Sequence, residues 1–277
     1  MPAIGLFESG VGGLSVLRAI RQQMPDQPVI YFGDQEHVPY GVRSLEEVRA
    51  FSVGITNFLL QQGARLMVVA CNTASAAALH YLRQTFPEVP FVGMEPAVKP
   101  AVETTRSGIV GVLATPATFQ GHLYASVVER FAQGVKILED TCLGLVSEIE
   151  KGNLDGVETR LILERALQPM LAAGIDTVVM GCTHYPFVIP LIEDICGPAV
   201  RVIDPAPAVA RQAGRLLAQH AWSSPFEDSP VLTRFITSGD PNALAKLLPV
   251  LIGERAASSV EKVCWDNNFI IKTNANA

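Results

Sequence analysis

Two stretches of the chain, LLQQGARLMVVACNTA (residues 59–74) and MLAAGIDTVVMGCTHYP (residues 170–186), follow one pattern. In each, a helix-forming segment ends on a glycine, an apolar run follows, and a cysteine stands eight residues after the glycine. Glycine is the usual residue just past a helix end, because it adopts the left-handed backbone conformation without strain. The repeated register therefore indicates two related helix–strand units, each with a cysteine at the carboxyl end of its strand.

A weaker echo lies upstream, where IGLFES (residues 4–9) is similar to VGVLAT (residues 110–115). Elsewhere, short apolar runs alternate with amphipathic stretches, and near-continuous apolar strands are typical of sheets covered by helices on both faces. The predicted strands are Ile4–Phe7, Val29–Phe32, Leu66–Ala70, Phe91–Gly93, Ile109–Ala114, Val135–Leu138, Val178–Gly181 and Val200–Ile203. The predicted helices are 13–24, 44–62, 74–85, 117–132, 155–173, 188–195, 205–219 and 240–252.

This alternation predicts an α/β protein with two similar doubly wound parallel-sheet domains, whose strands are joined by right-handed crossovers. We expect residues 1–96 plus 208–277 to form the first domain and residues 97–207 the second, with the active site in the cleft between them. The last ten residues, NFIIKTNANA, are expected to form an irregular tail.

The composition excludes several classes of protein. A net charge of -6 argues against nucleic-acid binding, which needs concentrated Lys and Arg. No apolar run approaches the ~18 residues of a membrane span, and the start of the chain lacks the basic region of a secretory signal. The five cysteines form no CxxC pair, as expected of reduced thiols in the cytoplasm. We therefore expect a cytoplasmic protein that binds neither nucleic acid nor membranes.

Polar side chains follow the predicted strands at their carboxyl ends, where open α/β sheets bind ligands. These residues are Glu8, Ser9, Cys71, Asn72, Thr73, Thr115, Cys182, Thr183 and His184. If the two similar halves face each other across one cleft, the two cysteines lie on opposite sides of a single ligand. We also expect both cysteines at strand-to-helix turns, where backbone N–H groups favour a thiolate.

Several chemistries compete for these residues. The Gly10–Gly13 segment lacks the GxGxxG spacing of a dinucleotide site, so a close backbone approach to a small anion is the better interpretation. Cys182 and His184 could form half of a metal site, but no other Cys/His cluster has ligand spacing, and we predict no metal. A Cys–His hydrolase would leave Cys71 unexplained. Two opposed acid/base groups instead fit inversion at a stereocentre, where one removes a proton and the other delivers one.

Motifs along most of the chain resemble those of glutamate racemase, a family of the aspartate/glutamate racemase superfamily, with a proteobacterial character. The similarity runs from residue 4 to about residue 245, and CNTA with GCTHYP at this separation is its most specific part. The matching segments are IGLFESGVGGLSVL (4–17), VPYG (38–41), VACNTA (69–74), GMEPAVKPA (93–101), GVLATPAT (111–118), GCTHYP (181–186) and VIDPAPAVAR (202–211).

The resemblance implies roles for individual residues. Cys71 exchanges the α-proton of the D-enantiomer and Cys182 that of the L-enantiomer, and His184 and Glu150 assist Cys182. The residues implied to contact substrate are Glu8, Ser9, Tyr40, Gly41, Asn72, Thr73, Thr115, Thr118, Thr183 and His184. Without the resemblance, Glu150 reads as an exposed helix-end carboxylate, Tyr40 as a turn tyrosine and Asn72 as a helix cap.

The resemblance further implies interconversion of L- and D-glutamate without pyridoxal phosphate or a metal, a role in supplying D-glutamate for peptidoglycan, and a homodimer. Two alternatives stay open: racemisation of aspartate, which differs in the side-chain room required, and a binding protein on a decayed racemase scaffold. Retention of both Cys71 and Cys182 argues against the second alternative, because binding alone needs neither thiol.

The chain departs from the family at Glu8, where the motif normally reads Phe-Asp-Ser-Gly and the aspartate supports the first cysteine. One extra methylene can displace a carboxylate by about an ångström, and a displacement of that size can cost on the order of 100-fold in rate. We therefore expect Glu8 to impair or alter the half of the reaction that uses Cys71.

Overall fold

The computed structural model describes residues 2–220, 233–253 and 259–272. Its strands are β1 (Ala3–Glu8), β2 (Val29–Gly33), β3 (Ala64–Val69), β4 (Phe91–Gly93), β5 (Ile109–Leu113), β6 (Lys136–Asp140), β7 (Thr177–Met180), β8 (Arg201–Ile203), β9 (Thr233–Thr237), β10 (Glu261–Asp266) and β11 (Phe269–Lys272). Its α-helices are α1 (Leu14–Gln23), α2 (Leu45–Gln61), α3 (Asn72–Thr85), α4 (Val98–Thr104), α5 (Pro116–Gln120), α6 (His122–Phe131), α7 (Leu145–Glu150), α8 (Val157–Ala172), α9 (Ile189–Cys196), α10 (Ala206–Gln219) and α11 (Pro241–Ile252). Two short 3-10 helices cover Tyr40–Val42 and Tyr185–Val188.

The chain divides into two compact units, one of Met1–Met94 with Ala206–Ala277 and one of Glu95–Pro205. Each unit is an α/β structure built on its own sheet, and the parallel α/β class predicted from the sequence is confirmed. None of the helices in the described ranges has both the length and the apolar character needed to cross a membrane.

The sheet of the first unit has the strand order β11-β10-β9-β2-β1-β3-β4. Its strands pair in parallel, except that β11 runs antiparallel to β10 at the edge. The central strand β1 is buried along its whole length. Burial of this kind explains why the sequence of β1 is apolar almost throughout rather than alternating.

The sheet of the second unit has the order β6-β5-β7-β8, and all of its strand pairs are parallel. This order equals that of β2-β1-β3-β4 when β5 is matched to β1, as the internal echo predicts. The match extends to one backbone contact: Ala70 donates to the carbonyl of Phe7 at 2.9 Å, and Gly181 donates to that of Leu113 at 2.7 Å. In each unit, the residue before the cysteine is thereby held against the end of the central strand.

The glycines that define the repeat act as expected. Helix α2 ends at Gln61 and Gly63 follows with φ of 95°, and α8 ends at Ala172 with Gly174 at 87°. These left-handed conformations are strained for residues with a side chain, so glycine allows each chain to leave its helix and enter β3 or β7.

Three sequence-based expectations fail locally. The single helix predicted at 117–132 is divided into α5 and α6, because Gly121 between them is extended, with φ of -74° and ψ of 136°. The tail predicted to be irregular contains β11, which is stabilised by antiparallel pairing with β10; residues 273–277 lie outside the described residues. The prediction also missed β9, which pairs with β2.

Candidate active site

Cys71 lies at the carboxyl end of β3, where it caps the start of α3. Its side chain is buried, and its Sγ accepts a hydrogen bond from the backbone N–H of Ala74 at 3.4 Å. The thiol also contacts two residues at the carboxyl end of β1: Sγ lies 3.9 Å from Oγ of Ser9, and the carboxyl group of Glu8, the last residue of the strand, hydrogen-bonds the thiol. The ends of adjacent strands thus bring Glu8, Ser9 and Cys71 together, as predicted.

Glu8 is held firmly in this cluster. Its Oε1 accepts hydrogen bonds from the backbone N–H of Ser9 at 2.8 Å and from the hydroxyl of Ser9 at 2.7 Å. Gly13 packs against it from the glycine-rich turn, and a Cβ at Gly13 would lie 2.8 Å from Cβ of Glu8. The structure therefore assigns Gly13 a packing role, namely to leave room for the Glu8 side chain.

The expectation of a thiolate-favouring environment is wrong for Cys71. Burial raises the pKa of this thiol well above its ordinary value, and the negative charge of Glu8 raises it further. The N–H of Ala74 acts in the opposite direction but is outweighed. A helix start favours a thiolate only where desolvation and neighbouring carboxylates do not dominate.

Asn72 is the first residue of α3 rather than its cap, so the capping interpretation fails. Its side chain is 5% exposed, and neither its amide oxygen nor its amide nitrogen has a hydrogen-bond partner within the described residues. Buried polar atoms are nearly always paired, because leaving one unpaired costs about 1–3 kcal/mol. The amide of Asn72 is therefore available to a ligand, and half-buried Thr73 follows it on the same turn.

Tyr40 and Gly41 lie on the first 3-10 helix of the same unit. Tyr40 is buried and its hydroxyl donates a hydrogen bond to Oδ2 of Asp34 at 2.6 Å, whereas Gly41 is exposed. Burial is the largest cause that raises the pKa of Tyr40 well above its ordinary value. The negative charges of Asp34, Cys71 and Glu8 raise this pKa further. Tyr40 is thus more than a turn residue, because it shares the electrostatic environment of Cys71 and Glu8.

The second unit contains a chain of contacts that begins at Cys182. Its Sγ lies 3.8 Å from Nδ1 of His184, and Nε2 of His184 lies 2.7 Å from Oε1 of Glu150. Cys182 and His184 are buried, and Glu150, at the end of α7, is partly buried. Glu150 is thus paired with His184, and it is not the exposed helix-end carboxylate that its sequence context alone would suggest. Cys182 is followed by the second 3-10 helix, which precedes α9.

His184 favours its protonated form. Burial lowers its pKa, but the hydrogen bonds and negative charges of Cys182 and Glu150 together outweigh that effect and raise the pKa well above the ordinary value. An imidazolium between a sulfur and a carboxylate holds its ring orientation through one nitrogen and offers the other to the sulfur. The arrangement is suited to moving a proton to or from Cys182.

Three threonines complete the predicted set in this unit. Thr115 caps α5, accepting from the N–H of Thr118 at 3.4 Å, and the two hydroxyls lie 3.1 Å apart. Thr183, between Cys182 and His184, is buried. Thr115 lies two residues beyond β5 and Thr183 three residues beyond β7, and these two strands are paired.

Sequence reasoning missed Asp34, Ser238 and Trp265, which form a hydrogen-bonded cluster with Tyr40. Asp34 could have been noted, because it directly follows β2. Ser238 and Trp265 could not have been identified from the sequence, because β9 and β10 were not predicted.

Among the residues described, no group of three or more His, Cys, Asp and Glu side chains is placed to hold a metal ion.

These features define a racemase, and comparisons with known proteins agree. A sequence model of the Asp/Glu/Hydantoin racemase family matches residues 13–213. Glutamate racemase of Ectopseudomonas mendocina (strain ymp) is 49% identical over 253 residues, which cover 91% of this chain and 95% of the relative.

Solved structures give the same result. Escherichia coli glutamate racemase in complex with L-glutamate and the activator UDP-MurNAc-ala is 33% identical with a TM-score of 0.82, covering 94% of this chain and 96% of that one. Francisella tularensis glutamate racemase in complex with D-glutamate is 27% identical with a TM-score of 0.79, covering 95% and 97%. The chain belongs to the Asp/Glu/hydantoin racemase family and, within it, to the glutamate racemases.

Proposed function

We propose that this protein interconverts L- and D-glutamate by proton transfer at Cα between two thiols, those of Cys71 and Cys182. The observation that carries the proposal is the matched position of the two cysteines, each at the end of the strand beside the central strand of its unit. Each has its own helper carboxyl group, Glu8 for Cys71 and Glu150, acting through His184, for Cys182. The names of the relatives support glutamate as the substrate.

In the L-to-D direction, the thiolate of Cys182 removes the α-proton of L-glutamate, forming an S–H bond as the Cα–H bond breaks. The electron pair stays on Cα and its carboxylate. The thiol of Cys71 then delivers its proton to the opposite face and becomes a thiolate. The protonated state of Cys71 that burial and Glu8 favour is the state this direction requires.

His184 and Glu150 support the Cys182 half of this cycle as positioning residues. An imidazolium beside the sulfur stabilises negative charge on it before the proton is taken. The hydrogen bond from His184 to Glu150 holds the ring with its other nitrogen toward the sulfur. Deprotonation of Cα is then possible without a separate base.

The difficult step is formation of a carbanion next to a carboxylate. Oriented hydrogen-bond donors aimed at the developing charge are usually the largest contribution to such a step. We assign this role to the hydroxyl and amide groups beside each cysteine: Ser9, Asn72, Thr73 and Thr183. The unpaired amide of Asn72 is the best-supported member, because a substrate carboxylate and ammonium group would satisfy both of its polar atoms.

The proposal is tested by Cα–H/D exchange in heavy water, followed by NMR for each enantiomer of glutamate and aspartate. We expect exchange and inversion of both glutamate enantiomers and much slower reaction of both aspartates. Faster reaction of aspartate would make this an aspartate racemase. Absence of exchange on all four amino acids, with glutamate still binding, would support the decayed-scaffold alternative.

The Glu150→Gln substitution tests the Cys182 half separately. Removing the carboxylate removes a charge-assisted hydrogen bond of about 1.5–3 kcal/mol, so we expect kcat for L-glutamate to fall roughly 10- to 100-fold. The pKa of His184 should fall as well, because one cause of its increase is lost. Isotope-labelled histidine NMR against pH measures this change, and Glu148→Gln is the matched control on the same helix. An unchanged His184 titration would contradict the assignment.

We further propose a cytoplasmic enzyme that provides D-glutamate for peptidoglycan and acts as a homodimer without a cofactor. These points are what the resemblance to the glutamate racemases implies. Sedimentation-equilibrium analytical ultracentrifugation of the purified protein distinguishes a dimer from a monomer.

A further inference from the structure

Asp34 is fully buried and lies immediately beyond β2. Its carboxylate contacts four side chains from different parts of the first unit. They are Tyr40 at 2.6 Å, Ser238 at 2.8 Å, the indole N–H of Trp265 at 2.8 Å and Nδ1 of His37 at 2.9 Å. A buried carboxylate is stable only when such donors replace its water. Asp34 is therefore the centre of a network that fixes the positions of its donors.

The network determines what Tyr40 can offer a substrate. A tyrosine hydroxyl has a single hydrogen, and that of Tyr40 is donated to Asp34. Its oxygen can therefore act toward a substrate only as an acceptor, which suits an ammonium group and not a carboxylate. The direction and position of that oxygen depend on where Asp34 is held.

Trp265 donates to Oδ1 of Asp34, whereas Tyr40 donates to Oδ2 of the same carboxylate. Trp265 belongs to β10, and its ring packs near Phe51 and His37, with centroid distances of 5.7 and 5.2 Å. Gly54 of α2 makes room for the ring, since a Cβ there would lie 2.7 Å from Cζ3 of Trp265. The indole nitrogen can only donate a hydrogen bond, so its role toward the Asp34 carboxylate is that of a donor.

We propose that Trp265 is a positioning residue of the racemase, which acts through Asp34 to orient the Tyr40 hydroxyl as an acceptor for the substrate ammonium group. This inference rests on the proposed function and adds a specific role for the edge of the first sheet. Trp265 does not contact the substrate in this scheme. Its contribution passes through two hydrogen bonds, Trp265–Asp34 and Asp34–Tyr40.

The Trp265→Phe substitution keeps an aromatic ring but removes the N–H. We expect KM for both glutamate enantiomers to rise about 10-fold, the scale of a lost hydrogen bond to a charged group, with kcat nearly unchanged. KM changes and kcat does not because the ammonium group keeps its charge throughout the reaction. Its contact with Tyr40 is therefore equally strong before and during proton transfer. Initial rates and calorimetric glutamate binding measure the change.

A double-mutant cycle separates this role from simple packing. In a Tyr40→Phe background, Trp265→Phe should have almost no further effect on KM or on glutamate affinity, because the group it orients is gone. A packing role would instead give the same added loss in both backgrounds. Ile270→Ala is the matched control: Ile270 pairs opposite Trp265 on β11, so the substitution alters packing beside the indole but keeps the N–H, and we expect lower thermal stability with unchanged KM.

Gly54→Ala is a second, independent perturbation, because the new methyl group pushes on the indole and on the carbonyl oxygen of Asn268, 2.8 Å from the Cβ position. Gly54→Ala should raise KM, as we expect of Trp265→Phe. It tests the inference even if the Trp265→Phe protein does not fold. An unchanged KM and glutamate affinity in both variants would overturn the inference while wild-type racemisation still supports the proposed function. A wild-type protein that neither binds nor racemises glutamate would overturn both.

Discussion

We expect the Cys71→Ser and Cys182→Ser proteins each to lose racemisation of glutamate by about 10²- to 10⁴-fold, the usual contribution of a general acid or base. Inversion requires a base on one face of Cα and an acid on the other, so the loss of either one stops the reaction. Serine keeps the approximate size of cysteine, but its hydroxyl is a far weaker acid than a thiol and does not replace it at a carbon acid.

The two variants should differ in what they retain. In Cys71→Ser, Cys182 can still remove the α-proton of L-glutamate and return a deuteron to the same face, so L-glutamate exchanges without inverting. In Cys182→Ser, only D-glutamate should exchange. NMR of the α-proton in heavy water, combined with chiral chromatography of the product, separates exchange from inversion for each enantiomer.

Cys196→Ser is the matched control, because Cys196 is a half-buried thiol at the end of α9 that takes no part in the proposed chemistry. It should racemise at the wild-type rate. If either Cys71→Ser or Cys182→Ser also racemised at that rate, the two-thiol mechanism would be wrong. Equal exchange of both enantiomers in a single-cysteine variant would overturn the assignment of one thiol to each face.

The repeated glycine-to-cysteine register was enough to predict the part of the fold nearest the chemistry. It marks where α2 and α8 end and where β3 and β7 begin, and these boundaries are set by local backbone preferences that sequence patterns report well. The edge of the first sheet was not predictable in the same way. Strands β10 and β11 stabilise each other by pairing, and neither has a long apolar run of its own.

The candidate site was predictable where residues directly follow strands. Glu8, Ser9 and Cys71 come together because β1 and β3 are neighbours with parallel carboxyl ends. The contact between His184 and Glu150 came from the family resemblance alone, since 34 residues separate them in the sequence. Charge states were the least predictable property: the helix start at Cys71 suggested a thiolate, whereas burial and Glu8 favour the thiol.

Glu8→Asp is expected to increase turnover by about 10- to 100-fold, the scale of correcting a misplacement of about one ångström at a reacting group. The shorter side chain withdraws the carboxylate by roughly one C–C bond, about 1.5 Å. The carboxylate of Glu8 contacts the thiol of Cys71 and is fixed by two hydrogen bonds from Ser9. It therefore cannot move freely away from the thiol. Gly13, packed against Cβ of Glu8, blocks movement on the other side.

The gain should be larger in kcat for D-glutamate than in kcat for L-glutamate, because in the proposed mechanism Cys71 acts as the base only in the D-to-L direction. Free enantiomers have equal free energy, so kcat/KM must remain equal in the two directions whatever the substitution does. A directional effect can therefore appear only in the separate kcat and KM values and in the ratio of exchange to inversion. Full progress curves from each pure enantiomer give these quantities.

Glu8→Gln is the control that separates charge from length. It keeps the long side chain and removes the negative charge that raises the pKa of Cys71, so the pKa of that thiol should fall while the geometry stays unfavourable. If length is the defect, only Glu8→Asp increases turnover; if excess negative charge is the defect, Glu8→Gln increases it too. Should Glu8→Asp leave both directions unchanged, the glutamate would be an accommodated substitution, for which the space provided by Gly13 is the structural reason.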